Sequence, residues 1–251
     1  MVLRPLDPSE NGTGCIPAWN AVARAQKQPS SAWWLIAQPD HADLAGDLAE
    51  RIQWQSFPAL DAEVLEAIRL HDEGWAEFDF IPAVRHGHPL SFLDIEPRDF
   101  LKAWKQSITR AEESSVIGGL LVSWHFRRLA EFRQQLASDS ADDAQLITKF
   151  LTEERERERR LMLGQNRDEA GIRVLVDALQ FCDLLSLYLC CGSREEVEFP
   201  QEFHGQTIRA QYDSGLYRTV PTIFPNGASL GVTARKFGSS DSSPTIPILL
   251  A

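Results

Sequence analysis

The chain has few cysteines, no excess of basic charge and no long apolar run, and each shortage excludes a class of protein. Its four cysteines form no CxxC motif, which argues against a disulfide framework or a zinc knuckle and favours a reducing cytoplasm. The net charge of −11 argues against nucleic acid as a partner, because phosphate backbones are bound by basic faces. No segment approaches the ~18 consecutive apolar residues of a membrane span, and the N-terminus lacks the apolar run of a signal peptide. We therefore expect a cytoplasmic protein with no membrane partner, for which an oligomer is possible.

What the sequence does contain is a globular composition with clear helical periodicity. The 251 residues are 43% hydrophobic and 24% charged, as in ordinary folded domains. The spacing of apolar residues predicts six main helices. They cover residues 39–53, 61–72, 97–113, 115–136, 143–164 and 168–192. Between the second and third helices, residues 76–96 are predicted to be a long loop of the kind that often carries function.

The two ends of the chain differ from this helical middle. Residues 1–31 are rich in proline and glycine and are expected to be mostly irregular, with a short strand at Met1–Leu6 and a short helix at Trp19–Ala25. Trp33–Ile36 is predicted to be a strand or a buried entry segment. After residue 195, short β-patterned runs alternate with glycine, proline and asparagine. They are Val197–Phe199, Thr207–Tyr212, Tyr217–Ile223 and Ser229–Phe237. We predict a mainly α fold with a helical domain at 1–194, a small antiparallel β appendage at 195–238 and a partly mobile tail at 239–251.

Four polar residues lie where the helical periodicity predicts a core. His41 falls on the apolar stripe of the first main helix, the adjacent His71 and Asp72 end the second, and Asp183 interrupts a leucine-rich stripe in the last. Burying such groups is costly unless they are paired, hydrogen-bonded or bound to a metal. The structural alternatives are a core histidine, a capping aspartate and an ion pair across the helices.

Together, these residues supply two imidazoles and two carboxylates from three separate helices. Such a set is enough to hold one divalent ion with positions left open for water and substrate. Mixed nitrogen and oxygen ligands suit Mn, Fe, Co, Ni, Zn or Mg, and the sequence does not choose among these metals.

The H…HD…D order on a helical bundle resembles the HD superfamily of metal-dependent phosphohydrolases. The strings WWLIAQPDH, LHDEGW, PLSFLD and QFCDLLSL resemble one bacterial branch of uncharacterised HD-like proteins. The resemblance covers roughly residues 33–192 and implies an HD-like helical bundle, which with the C-terminal strands gives an α+β protein overall. It also implies that His41, His71, Asp72 and Asp183 are the metal ligands, and that the substrate is small and phosphorylated, such as a nucleotide. The chain departs from many phosphatase members after the doublet, where it has Glu73-Gly74-Trp75.

Further roles follow from metal chemistry as hypotheses. Asp72 or Glu73 would orient a water molecule, and His125 would act as general acid because an unperturbed histidine titrates near neutrality. The candidate substrate-binding residues are Gln38, Trp75, His88 and Lys102. Two other functions stay open: a non-catalytic HD-like ligand-binding or sensing module, and a di-iron oxygenase, which would need further ligands.

Overall fold

A computed structural model describes residues 1–7, 14–137, 139–239 and 243–251 of the chain. Among these residues the helices are α1 (Ala18–Lys27), α2 (Gln38–Arg51), α3 (Ala62–Leu70), α4 (Ala76–Phe80), α5 (Pro97–Ser114), α6 (Val116–Leu136), α7 (Ala141–Met162) and α8 (Glu169–Cys190). The strands are β1 (Val2–Pro5), β2 (Ile16–Pro17), β3 (Trp33–Ile36), β4 (Val84–Arg85), β5 (His88–Pro89), β6 (Val197–Phe203), β7 (Gln206–Asp213), β8 (Leu216–Val220), β9 (Ala228–Thr233), β10 (Arg235–Lys236) and β11 (Thr245–Leu250). Single 3₁₀ turns occur at Glu73–Trp75 and Phe92–Asp94.

The helical predictions were confirmed to within about two residues at each end. Local chemistry explains the accuracy, since Pro39 and Pro97 stand in the first turns of α2 and α5, where a missing N–H costs nothing. Asp61 caps α3 through Val64 N, and Asp168 caps α8 through Gly171 N. The predicted loop at 76–96 was only partly right, because it contains the short helix α4 and the β4–β5 hairpin.

The prediction of a mainly helical bundle with a small antiparallel appendage was wrong. The main sheet has six strands in the order β2-β6-β7-β8-β11-β9, and it is mixed because β2 is parallel to β6 and β11 is parallel to β8. A second sheet, β1-β3-β10, pairs β3, the strand before α2, with β1 from the N-terminal segment and with β10, which follows β9. The molecule is therefore an α/β protein with a substantial sheet. The periodicity of a single segment could not show this, because the strands that complete both sheets come from distant parts of the chain.

The C-terminal segment takes part in the main sheet. β11 pairs along its length with β9, and Ile248 and Leu250 are buried. The part of the tail that was expected to be mobile includes residues 240–242, which lie outside the described residues. The pairing of β11 with β9 therefore joins the expected tail to the expected appendage. The pairing of β10 with β3 joins that appendage to the helical part.

Four helices surround the interior in which the predicted site residues lie. α2 packs on α3 and α8, and α6 packs on both α3 and α8. Their apolar faces merge into one buried cluster that includes Leu44, Ile68, Leu121 and Leu179. None of the helices in the described ranges is long and apolar enough to cross a membrane.

Candidate metal centre

The first turn of α2 is fixed in place by a buried carboxylate. Asp79 in α4 accepts a hydrogen bond from the backbone N–H of Gln38 at 2.6 Å, which satisfies one of the free N–H groups at the start of the helix. Pro39 follows in the first turn. This local structure sets the rotation of α2 and directs His41 into the interior, where it has no solvent exposure.

His41 makes two short polar contacts to different elements. Its Nδ1 lies 2.8 Å from the Ser186 hydroxyl of α8, and its Nε2 lies 2.8 Å from Asp72 Oδ2, which follows α3. Because both ring nitrogens have partners, the ring is held firmly between two elements. The prediction that His41 faces inward was confirmed.

His71 lies directly after α3 and is also fully buried. Its Nδ1 is 2.6 Å from the carbonyl oxygen of Ile68, which can only accept, so Nδ1 carries a hydrogen. In the neutral ring, Nε2 then presents a lone pair. This atom has no hydrogen-bond partner, and it faces Asp183 Oδ1 at 3.4 Å and Asp72 Oδ2 at 3.8 Å. A buried nitrogen that faces two carboxylates, on a ring whose other nitrogen is anchored, is the arrangement expected of a metal ligand once an ion displaces its proton.

Asp183 and His125 complete the cluster from α8 and α6. The Asp183 side chain is 13% exposed, and its Oδ2 lies 3.8 Å from Nε2 of the buried His125. The ring centroids of His71 and His125 are 5.5 Å apart, and those of His41 and His71 are 5.1 Å apart. His125 Nδ1 has no hydrogen-bond partner.

Burial and the charges of neighbouring groups shift the pKa values of these residues in opposite directions. Burial lowers the pKa of His71, but the carboxylates of Asp72 and Asp183 outweigh it and raise the pKa to about 9. Burial raises the pKa of Asp183, but the nearby imidazoles, His71 first, lower it to about 2. Burial dominates at His125 and lowers its pKa to about 4, so this ring is neutral near pH 7 and offers a lone pair rather than a proton.

Three of these residues form a group that could hold a metal ion. The ligand atoms of His41, His71 and Asp183 all lie within 4.8 Å of one another. This span is close to the ~4.2 Å that separates opposite ligands of an ion with bonds of ~2.1 Å. Asp72 lies beside the group and contacts both histidines, and its part as a fourth ligand stays a prediction. The fold and this cluster together define an α/β protein with a buried histidine–aspartate group that could hold a metal ion.

Residues 25–235 match the family model described as a protein of unknown function, DUF3891, and the chain therefore belongs to that family. No curated protein and no solved structure matches the chain. The family assignment brings no activity with it, so any function has to be argued from the centre itself.

The other predicted site residues lie in three places. Gln38 and Trp75 are buried, and each keeps a polar atom without a hydrogen-bond partner, Gln38 Oε1 and Trp75 Nε1. Glu73 and Lys102 instead line an open groove of about 770 Å³ along α5. His88 lies exposed in the β4–β5 hairpin, where it pairs with Arg85.

Two contributors were missed as functional residues. Ser186 was not among the predicted site residues, although its place three residues after Asp183 among leucines was a usable signal. Asp79 lies in the segment predicted to be a loop, and only the fold shows that its carboxylate meets the start of α2.

Proposed function

We propose that this protein is a divalent-metal-dependent phosphohydrolase that acts on a small phosphorylated substrate, with a nucleotide as one class to test. The observation that carries the proposal is the state of His71 Nε2. It is fully buried, it has no hydrogen-bond partner, and it faces the carboxylates of Asp183 at 3.4 Å and Asp72 at 3.8 Å. Two carboxylates that converge on a buried site are unfavourable in an apolar interior unless positive charge lies between them, and a cation that displaces the His71 proton would supply that charge.

The chain's own residues fit such an ion. His41, His71 and Asp183 would hold it, with Asp72 as the predicted fourth ligand, and two imidazoles with two carboxylates suit Mn, Fe, Co, Ni, Zn or Mg. A cation held there would lower the pKa of a coordinated water and reduce the negative charge on a phosphoryl oxygen. The Ile68 carbonyl and the Ser186 hydroxyl anchor the two histidines through their Nδ1 atoms.

Access to the centre is supported by the partial exposure of its carboxylates. The side chains of Asp183 and Asp72 are 13% and 8% exposed, whereas the three imidazoles are sealed at about 1% or less. Substrate would therefore approach from the carboxylate side. Gln38 Oε1 and Trp75 Nε1 are buried atoms without partners, which is consistent with their predicted role in holding a ligand.

The burial of the three histidine side chains also supports a second candidate function, a non-catalytic ligand-binding or sensing module. The groove of about 770 Å³ follows α5 and is lined by Glu73 and Lys102, not by the histidine cluster. A sealed centre can retain a metal for structure or sensing without turnover. A di-iron oxygenase has less support, because His125 is the single further imidazole beside the described cluster.

Metal content and turnover, measured in that order, separate these functions. We expect protein expressed with ample metal to contain about one equivalent, and the His71→Ala variant to contain less than about a tenth of one. His204→Ala is the matched control, since His204 lies on an exposed turn and should leave the metal content unchanged. Metal-free wild-type protein would refute both the hydrolase and the oxygenase.

Given metal, we expect hydrolysis of at least one member of a panel of phosphomonoesters, nucleotides and cyclic dinucleotides with Mn or Co. The His71→Ala variant should lose this activity, whereas His204→Ala should keep it. Full metal loading without turnover on the whole panel would contradict the hydrolase and favour the binding module.

A further inference from the structure

The buried serine of α8 lies between two elements of the centre. Ser186 has no solvent exposure, and its hydroxyl oxygen is 2.8 Å from His41 Nδ1 and 2.8 Å from the backbone oxygen of Asp183. Ser186 is therefore the side chain that joins the helix of Asp183 to the ring of His41.

The hydroxyl has one hydrogen for these two neighbours. If the hydrogen points to the Asp183 carbonyl, the serine oxygen accepts from Nδ1–H of His41, and Nε2 of the neutral ring is a lone pair. If it points to Nδ1, Nε2 carries the hydrogen and donates it to Asp72 Oδ2, which is 2.8 Å away. The Asp183 carbonyl tolerates either arrangement, because it also accepts the N–H of Leu187 within the helix.

Only the first arrangement leaves His41 Nε2 able to bind a cation. A ring nitrogen that carries a hydrogen cannot coordinate, so the His41 tautomer decides whether the group is complete. The serine oxygen is the acceptor that stabilises this tautomer, as the Ile68 carbonyl does for His71. An alanine in this place would leave a buried Nδ1–H without an acceptor.

We propose that Ser186 is a positioning residue of the metal centre: its hydroxyl accepts from His41 Nδ1 and holds Nε2 free for the ion. This inference rests on the proposed metal centre and deepens it. Helix α8 would then contribute both Asp183 and the Ser186 hydroxyl to the metal centre. Because the Ser186 hydroxyl can rotate, its hydrogen bond to His41 can form both with and without a bound ion.

Zinc titration of four forms of the full chain tests the proposal. We expect Ser186→Ala to bind zinc about 10- to 100-fold more weakly than wild type, the loss typical of removing a partner of a ligating histidine. Ser186→Thr keeps the hydroxyl and should recover most of the affinity. Ser123→Ala is the matched control, since Ser123 is an equally buried helical serine whose hydroxyl bonds to Glu154 in α7, and it should bind as wild type does.

A second measurement reads the tautomer directly and needs no altered serine. Long-range ¹⁵N–¹H correlation spectra of zinc-loaded wild type, assigned with a His41→Gln variant, should show the His41 hydrogen on Nδ1. Equal zinc affinity in wild type and Ser186→Ala would overturn the inference while leaving the metal centre intact. A hydrogen on Nε2 would overturn the inference and would also remove His41 from the ligand set. Wild type that binds no zinc would instead refute the proposed function. If Ser186→Ala does not fold, the spectrum of the wild type decides.

Discussion

Replacing Asp183 with asparagine should remove most of the stabilisation that a divalent ion gives this protein. Asp183 supplies one of the three ligand atoms of the group and one of the two negative charges beside them. Removing a residue that only hydrogen-bonds to a metal ligand typically lowers metal affinity ~10- to 100-fold. We therefore expect the removal of a ligand itself to lower the affinity ~100-fold or more.

The size of the effect follows from binding linkage. An ion that binds only the folded state at 100 times its Kd adds ~2.7 kcal/mol to the free energy of unfolding. For a chain of this length, ~1 kcal/mol corresponds to ~2–4 °C, so the Tm of the wild type should rise by ~5–11 °C. At the same metal concentration, a variant with 100-fold weaker affinity gains ~0.4 kcal/mol, which is ~1 °C.

Scanning calorimetry with zinc or manganese, and with a chelator as reference, measures this difference. Asp177→Asn is the control, because it makes the same change six residues earlier on α8, in a partly exposed ion pair with Arg128. The control should keep the full Tm rise. A rise in Asp183→Asn equal to that of the wild type would show that the ligand set is wrong.

Two further predictions concern residues outside the proposed ligand set. Gly74→Ala should cost ~3 kcal/mol of unfolding free energy, because a Cβ there would lie 2.1 Å from the Ala103 carbonyl oxygen. Denaturant titration measures this cost, with Gly164→Ala as the control because a Cβ has room at that position. An equal cost in both variants would contradict the close approach at Gly74. Burial raises the pKa of Glu154 in spite of its Arg157 and Ser123 contacts, so the pKa in the folded state lies above that in the unfolded state. The contribution of Glu154 to stability is then present at pH below the unfolded value and is lost as the pH rises through the folded one. Glu154→Gln should therefore lose less stability than the wild type as the pH is raised from 4.5, the ordinary pKa of glutamate, in Tm measurements, and identical pH profiles would refute this assignment.

Most of the helical layer and the inward direction of the key residues could be predicted from the sequence. The apolar period placed His41, His71 and Asp183 on buried stripes, and all three meet within one group. This succeeded because a helical stripe is a local property, repeated every three to four residues, which a single segment displays in full.

The sheets could not be predicted in the same way. β2 contributes two residues and becomes a strand by pairing with β6, and β10 becomes one by pairing with β3; both partners are far away in sequence. Short strands carry little periodicity, so their pairing depends on which edges the fold brings together.

The placements of Glu73 and His125 also depended on the fold. Glu73 follows the doublet directly, yet the 3₁₀ turn that begins there directs it to the groove along α5. His125 joins the cluster, but burial lowers its pKa to about 4, a value that no spacing in the sequence reveals.

The sequence by itself therefore determined which side chains enter the interior, because helical spacing and capping are set by neighbouring residues. Only the tertiary structure decided how those side chains are partnered. The Ser186 hydroxyl and the Asp79 carboxylate become anchors when separate elements meet, and contacts between distant elements are fixed by packing of the whole chain.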